Sequence, residues 1–293
     1  MKLTQFAYRL VPGAATAILC LGIAITAITA SAAKNPLNEP NGLAVDSKGN
    51  LYVANSGGNN ILMFNSKYQY MPAKTLVQGV SHPTGVAVDP MGNLWVANYI
   101  QGGGSITEYS NGQQVSSGTI TEGVDSPLAI AADGSGNIWV QNANTYVDAY
   151  RQPVLGIGAP TLAQTFNVTA PLYGISVWEN TLALGAPSAF EVGFANALVT
   201  LERGSFAGAY SSTGSDNGLS IAADHQGGFY ISNLDGSVNH DLNGVEAPFL
   251  QLSYGPAGTA VDPVNQRVYF SCLSCNYIQA YSTTTGQLLE TIQ

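Results

Sequence analysis

The side chains best suited to bind a ligand lie near the start of short apolar segments that recur along the chain. Asn41 and Thr84 each follow a proline, and Tyr173 and Asn217 occupy related positions in later segments. Amides and a hydroxyl exchange hydrogen bonds, and a tyrosine ring stacks on apolar faces. We predict that these four residues form a site for a neutral polar molecule such as a sugar, or for a protein partner. No catalytic residue is assigned.

Two other polar residue types recur in register with these segments. The apolar segments come in pairs, a first and a second, separated by a turn. Asparagine ends four of the second segments (Asn55, Asn98, Asn142 and Asn233). Aspartate follows five of the first segments (Asp46, Asp89, Asp133, Asp224 and Asp262). Asn at a strand end either bonds nearby backbone amides or belongs to a polar binding ring, and both interpretations stay open. The repetition of Asp indicates turn formation, because a catalytic residue is normally present once.

The histidines and cysteines give weaker signals. His82, His225 and His240 fall at three different phases of the repeat, so the sequence predicts no paired acid–base site. Cys272 and Cys275 are separated by two residues in a region with no helix signal, which disfavours a redox-active Cys-x-x-Cys motif. We predict that these two cysteines form a local disulfide that staples a loop.

Composition excludes several classes of protein. The chain has 293 residues, of which 45% are hydrophobic and only 9% charged, together with 33 glycines. A coiled coil or a charge-rich disordered chain needs many more charges. The 18 acidic residues outnumber nine scattered basic ones, which argues against a nucleic-acid partner. The pattern is typical of an all-β protein with many turns.

The N-terminus has the layout of a secretory signal peptide. Lys2 and Arg9 precede an apolar stretch, and small residues follow at 30–33. We predict a signal peptide at 1–32 and therefore an exported protein that is periplasmic, extracellular or on the cell surface. Cleavage would leave no membrane span, whereas the alternative is an uncleaved anchor.

The remaining chain, 33–293, consists of internal repeats. The phrase Pro-Thr-Gly-Val-Ala-Val-Asp, then Gly-Asn-Leu-Trp-Val-Ala-Asn, spans 83–98, and its relatives recur at intervals of 38–46 residues. Periods near 40–45 residues with four strands each are typical of propeller blades. The six predicted repeats lie near 40–80, 83–124, 127–168, 171–213, 216–253 and 256–293. In the first repeat, 61–64 and 74–78 are the predicted third and fourth strands.

These phrases resemble the NHL repeat. The resemblance implies a six-bladed β-propeller of four-stranded antiparallel blades, in a family that includes both enzymes and binding modules. Related gluconolactonase-like propellers bind a divalent cation. Glu39, Asn41 and Asn217 match part of that ligand set, but Ala257 stands where an aspartate is expected. Ca²⁺ prefers six to eight oxygen ligands with several carboxylates, so we predict no cofactor, with Ca²⁺ as the alternative.

The favoured interpretation is an exported NHL-like propeller that binds a ligand or partner through one face and is not an enzyme. The alternative is a hydrolase or lyase of the gluconolactonase-like or streptogramin-lyase-like type. We place binding on the face formed by the loops that enter each first strand, here called the Pro-x-Gly face. The first and last repeats each hold their own strands, so the ring is expected to close by side-chain packing without a shared strand.

Overall fold

The structure is a computed structural model. It describes residues 35–143, 146–153, 158–167, 174–181, 187–194, 197–202, 208–212, 218–242 and 245–293. Within these ranges no helix is long and apolar enough to cross a membrane. The predicted signal peptide lies outside the described residues.

Six sheets follow one another along the described chain, and we number them in that order. Sheet 1 contains β1 (Pro40–Val45), β2 (Leu51–Asn55) and β3 (Asn60–Phe64). Sheet 2 contains β4 (Pro83–Val88), β5 (Leu94–Ile100), β6 (Gly103–Ser110) and β7 (Gln113–Ile120). Sheet 3 contains β8 (Pro127–Ala132), β9 (Ile138–Asn142), β10 (Tyr146–Arg151) and β11 (Thr161–Asn167).

The second half of the chain continues the pattern. Sheet 4 contains β12 (Ile175–Thr181), β13 (Pro187–Phe194), β14 (Ala197–Glu202) and β15 (Gly208–Ser212). Sheet 5 contains β16 (Gly218–Ala223), β17 (Gly228–Asn233), β18 (Ser237–Leu242) and β19 (Val245–Gln251). Sheet 6 contains β20 (Gly258–Asp262), β21 (Arg267–Cys272), β22 (Tyr277–Ser282) and β23 (Leu288–Ile292).

Each sheet is an antiparallel meander whose first strand contacts the first strands of its two neighbours. Contacts run from β1 to β4, β8, β12, β16, β20 and back to β1. The first strands therefore line a central axis, and the core lies between adjacent sheets. Trp95 and Ile106 of sheet 2, for example, pack with Ile130 and Tyr150 of sheet 3, all fully or almost fully buried. This arrangement is a β-propeller, in which neighbouring blades bury the faces that a single meander leaves exposed.

The prediction of six four-stranded blades is wrong, since five four-stranded blades are present among the described residues. Sheet 1 has three strands, and the fourth strand predicted at 74–78 is absent. A short 3-10 helix, Pro72–Lys74, occupies part of this segment. Only isolated bridges, Ile61 to Leu76 and Phe64 to Tyr70, reach the outer edge of β3. Pro72 has no N–H to donate to a strand ladder, which favours this irregular path.

Closure of the ring follows the predicted mode. No strand pairs sheet 1 with sheet 6 within the described residues, and β23 pairs with β22. Leu43 and Val53 of sheet 1 pack in one buried cluster with Tyr269 and Ile278 of sheet 6. The Ser271 hydroxyl also donates a hydrogen bond to the Asn41 carbonyl at 2.7 Å. Sheets 1 and 6 are therefore joined by side-chain packing and by hydrogen bonds between them.

Asn276 joins the N-terminal segment to sheet 6. Its side-chain carbonyl accepts a hydrogen bond from the Glu39 N–H at 2.8 Å, and its backbone carbonyl accepts one from the Asn35 side chain at 2.8 Å. The loop that holds Asn276 includes Cys272 and Cys275, which lie at disulfide distance with a Cα–Cα separation of 5.2 Å. The cysteine pair therefore restrains the loop that helps to close the ring.

We expect the protein purified without reductant to contain no titratable thiol at Cys272 and Cys275. The bond closes a small loop, so its removal by a double Cys→Ser change should lower the free energy of unfolding by about 1–3 kcal/mol. Thiol titration of the denatured protein, with and without reductant, is the measurement. Two free thiols in the non-reduced sample would contradict the pairing.

Candidate functional site

The repeated aspartates build turns. The carboxylate of Asp133 accepts hydrogen bonds from the Ser135 and Asn137 N–H groups at 2.9 and 2.8 Å. It also accepts from the Asn137 side chain at 2.9 Å and from the Trp139 indole at 3.1 Å. Asp89 makes the equivalent four bonds in sheet 2. The turn-forming interpretation of these aspartates is thus supported by their contacts.

The asparagines that end the second strands hold the loop that leads into the first strand of the same sheet. The side-chain carbonyl of Asn98 accepts a bond from the Ser81 N–H at 2.9 Å, two residues before Pro83. Its amide donates to Thr107 at 2.9 Å and to the Gly79 carbonyl at 3.2 Å. Asn55 and Asn142 bond the corresponding N–H groups of sheets 1 and 3. All three side chains are buried, which favours the structural interpretation over a polar binding ring.

The predicted site on the Pro-x-Gly face is narrow where the structure describes it. Asn41 and Thr84 both line a small opening at the axis, with a volume of about 40 Å³. The Thr84 hydroxyl donates to the Pro127 carbonyl at 2.8 Å and so bridges sheets 2 and 3. Tyr173 and Asn217 lie outside the described residues. A space of this size has room for a water molecule and not for a sugar.

A much larger cavity lies on the opposite face, where the Asp-x-x-Gly turns gather. Its volume is about 900 Å³, and we call it the turn-side cavity. Near the axis it is lined by the turns of sheets 1–3, by Val177 of β12 and by His225 of sheet 5. From the axis it extends between sheets 1 and 2, along Tyr52, Met63, Lys74, Leu76, Leu94, Tyr109 and Asn111.

The missing fourth strand contributes to the shape of this cavity. The edge of β3 is met by the irregular segment that carries Lys74 and Leu76, and both residues line the cavity. Met63 of β3 and Asn111 of the β6–β7 turn line it as well. A fourth strand continuous with β3 would instead pair along this edge. Part of the cavity wall is therefore formed by the irregular segment that distinguishes sheet 1 from the other sheets.

The carboxylates around the turn-side cavity are already engaged. The four hydrogen bonds to Asp89 and to Asp133 fill the acceptor sites of each carboxylate, and both side chains are buried. Asp46 accepts two backbone N–H bonds and two side-chain bonds in the same way. A molecule in the cavity would meet few free carboxylate oxygens.

Besides the aspartates and the lysines Lys48 and Lys74, the cavity is lined by two tyrosines and a histidine whose pKa values are shifted. Burial, and then the nearby Asp46 carboxylate, raise the pKa of Tyr52 to about 12. Burial raises the pKa of Tyr109 to about 12. His225 is exposed at the rim, yet the surrounding protein desolvates its ring and lowers its pKa against the opposing effect of Asp224. At pH 7 the two tyrosines and His225 are uncharged.

One acid–histidine pair escaped the sequence analysis. His240 of β18 lies 2.8 Å from the Asp224 carboxylate and stacks on Tyr230, with 4.4 Å between ring centroids. Burial favours a higher pKa for Asp224, but bonds from His240 and from the Gln226 and Gly228 N–H groups outweigh it and hold the pKa below its ordinary value. His240 thus occupies the place that the indole N–H takes in sheets 2 and 3. The sequence held one signal for this pair: Tyr230 stands where the other two sheets have Trp95 and Trp139, so Asp224 lacks an indole donor.

The Ca²⁺ alternative has little support from the described residues. They contain no group of three or more His, Cys, Asp or Glu placed to hold a metal ion. Glu39 is exposed on the Pro-x-Gly face, and Asn41 is half-buried. Asn217 lies outside the described residues. This set does not supply the several carboxylates that Ca²⁺ prefers, and we assign no metal-dependent step.

Comparison with known proteins places the chain among β-propellers. The family model of the NHL repeat matches residues 37–64. A search of curated protein sequences finds no match. Among solved structures, a gluconolactonase from Xanthomonas campestris is 16% identical, with 81% of this chain and 84% of that chain covered and a TM-score of 0.60. Virginiamycin B lyase from Staphylococcus aureus is 14% identical, with coverages of 87% and 84% and a TM-score of 0.57.

A chain of the nidogen/laminin complex is also similar, at 15% identity, coverages of 77% and 85% and a TM-score of 0.59. At such identities the likeness shows the fold alone, and the three proteins differ in function. The fold is that of an all-β propeller, in which five of the sheets described above are four-stranded antiparallel blades. Within this propeller, residues 37–64 match the NHL repeat.

Proposed function

We propose that this protein is an exported, non-enzymatic binding module that holds a small molecule in the turn-side cavity. The observation that carries the proposal is the cavity itself. Its volume of about 900 Å³ lies within the range of about 300–1,000 Å³ of small-molecule sites, whereas the opening on the Pro-x-Gly face measures about 40 Å³.

The lining also suits recognition. Apolar side chains of Met63, Leu76 and Leu94 face the same space as the amide of Asn111 and the ammonium of Lys74. Ligand sites generally combine an apolar wall with a few polar groups that orient the ligand. Two of the predicted site residues, Asn41 and Thr84, line the other opening. The proposal therefore moves the binding face away from the one that the sequence suggested.

The test uses an uncharged fluorescent probe, phenylnaphthylamine, and variants that fill the cavity. Met63→Trp and Leu76→Trp should each weaken probe binding at least tenfold, because an indole would occupy the space between sheets 1 and 2. Val77→Trp is the matched control, since Val77 is 64% exposed and does not line the cavity. Melting temperatures would show that each variant is folded.

Probe binding that is unchanged in both filled variants would overturn the proposal. So would a probe that fails to bind the wild-type protein. Loss of binding in an Asn41→Ala/Thr84→Ala double variant, with the filled variants unaffected, would return the site to the Pro-x-Gly face.

A further inference from the structure

We propose that the turn-side cavity selects an amphipathic cation, whose quaternary ammonium group lies beside the aspartate turns and whose apolar body lies between sheets 1 and 2. This inference rests on the proposed function and specifies the chemical class of its ligand. It commits to a small organic cation whose charged centre has no N–H group to donate.

The fixed charge at the axial end of the cavity is negative. Asp46, Asp89 and Asp133 line this end, and none of these carboxylates forms an ion pair with a described lysine or arginine. Their hydrogen bonds come from uncharged donors, namely N–H groups, amides, a hydroxyl and indoles, which leave the negative charge in place. An occupant near the axis therefore meets three carboxylate charges, against the one exposed ammonium group of Lys48 in the described turns.

Neighbouring side chains respond to this negative charge. The Asp46 carboxylate adds to burial in raising the pKa of Tyr52 to about 12. Across the axis, Asp224 opposes the desolvation that lowers the pKa of His225. Each carboxylate favours the protonated form of a group in the cavity wall, and a bound cation gains from the same field. The two lysines that border the cavity are exposed to water, which weakens their repulsion of a cation.

The hydrogen bonds to the aspartates decide which kind of cation fits. Four donors occupy the acceptor sites of each carboxylate, so a metal ion or a primary ammonium group would find few free oxygens to bind. A quaternary ammonium needs no acceptor, because it is attracted by charge and by the faces of aromatic rings. Tyr52 and Tyr109 line the same cavity, and the Tyr52 hydroxyl donates to the Asp46 carboxylate at 3.3 Å. An aromatic ring thus lies next to a carboxylate charge.

The apolar wall of the cavity is continuous with this aromatic ring. Leu94 of β5 belongs to a buried cluster against which Leu76 and Tyr52 pack, and all three residues line the cavity. Met63 lines it as well, and its unbranched, flexible side chain adapts to irregular ligands. Because Tyr52 contacts both the apolar cluster and Asp46, one molecule can place a hydrocarbon body on the leucines and its charge beside the carboxylate.

The experiment measures how well charged compounds displace phenylnaphthylamine from the cavity. Benzyltrimethylammonium and phenylmethanesulfonate share a benzyl group and carry opposite charges, and neopentylbenzene is the uncharged isostere of the cation. At low salt the cation should displace the probe at a concentration about five times lower than the anion, or lower still. Asp46→Asn should weaken the cation about threefold, because it removes the charge and keeps an oxygen that accepts the turn N–H bonds. The affinity for neopentylbenzene should stay within about twofold of wild type.

Asp235→Asn is the matched control, because Asp235 is an exposed aspartate that does not line the cavity. It removes the same charge and should leave the affinity for the cation unchanged, and melting temperatures would show that both variants are folded. Equal displacement by the cation and the anion, or a cation that binds Asp46→Asn as tightly as wild type, would overturn the inference. The proposed function would survive that result if phenylnaphthylamine still binds and the cavity-filling variants still block it.

Discussion

Replacing Asp133 with alanine is expected to lower the free energy of unfolding by about 3–5 kcal/mol. The carboxylate is 2% exposed and accepts four hydrogen bonds from its turn and from Trp139. Alanine would leave buried donors without a partner, and each such donor costs about 1–3 kcal/mol. Urea unfolding followed by tryptophan fluorescence and circular dichroism would measure the loss.

Asp235 provides the control for this change. It is an exposed aspartate whose carboxylate accepts hydrogen bonds from its own turn, from the N–H and hydroxyl of Ser237 at 2.9 and 2.7 Å. Asp235→Ala should lower the free energy of unfolding by less than about 1 kcal/mol, because the donors it releases are open to water. Similar losses for Asp133→Ala and Asp235→Ala would show that the buried bonds do not dominate the stability of the turn.

Replacing Gln141 with methionine is expected to raise the free energy of unfolding by about 1–3 kcal/mol. Gln141 lies on β9 and is 1% exposed, and among the described residues neither its side-chain nitrogen nor its oxygen has a hydrogen-bond partner. An unsatisfied buried amide carries a desolvation penalty of about this size. Methionine has a similar length and no polar hydrogen, so it keeps the packing and removes the penalty.

The reciprocal change is the matched control. Ala97 occupies the corresponding position of β5 and is fully buried, as is Ala54 of β2. Ala97→Gln should lower the free energy of unfolding by about 2–5 kcal/mol, because it adds both volume and an unsatisfied amide to a packed interface. Urea unfolding of both variants would test the pair. A Gln141→Met protein less stable than wild type would contradict this account of the buried amide.

The repeated phrases of the sequence determine the local structure because their contacts lie within a few residues. Asp133 bonds N–H groups two and four residues ahead, and Gly136 supplies the positive φ of 81° that the turn needs. The same local logic operates at Asp89 and Gly92. The strands on either side were predictable for this reason.

Features that depend on contacts between distant segments were not predictable in the same way. The segment 74–78 has strand-like composition, but it follows Pro72 and a short 3-10 helix and pairs with β3 only through the bridge between Leu76 and Ile61. His240 replaces an indole as the partner of Asp224 from 16 residues away. Asn41 and Thr84 do meet at one opening, although its size depends on how closely the first strands approach the axis.

The sequence by itself determined the repeat, the meander of short strands and the aspartate turns, because each is set by residues that are close together in the chain. Only the tertiary structure decided that sheet 1 has three strands and that the large cavity lies on the turn side. The physical reason is that a cavity forms where the packing between two sheets is incomplete. Sheets 1 and 2 meet through side chains far apart in the chain, such as Ile61 and Tyr109, which pack in one buried cluster.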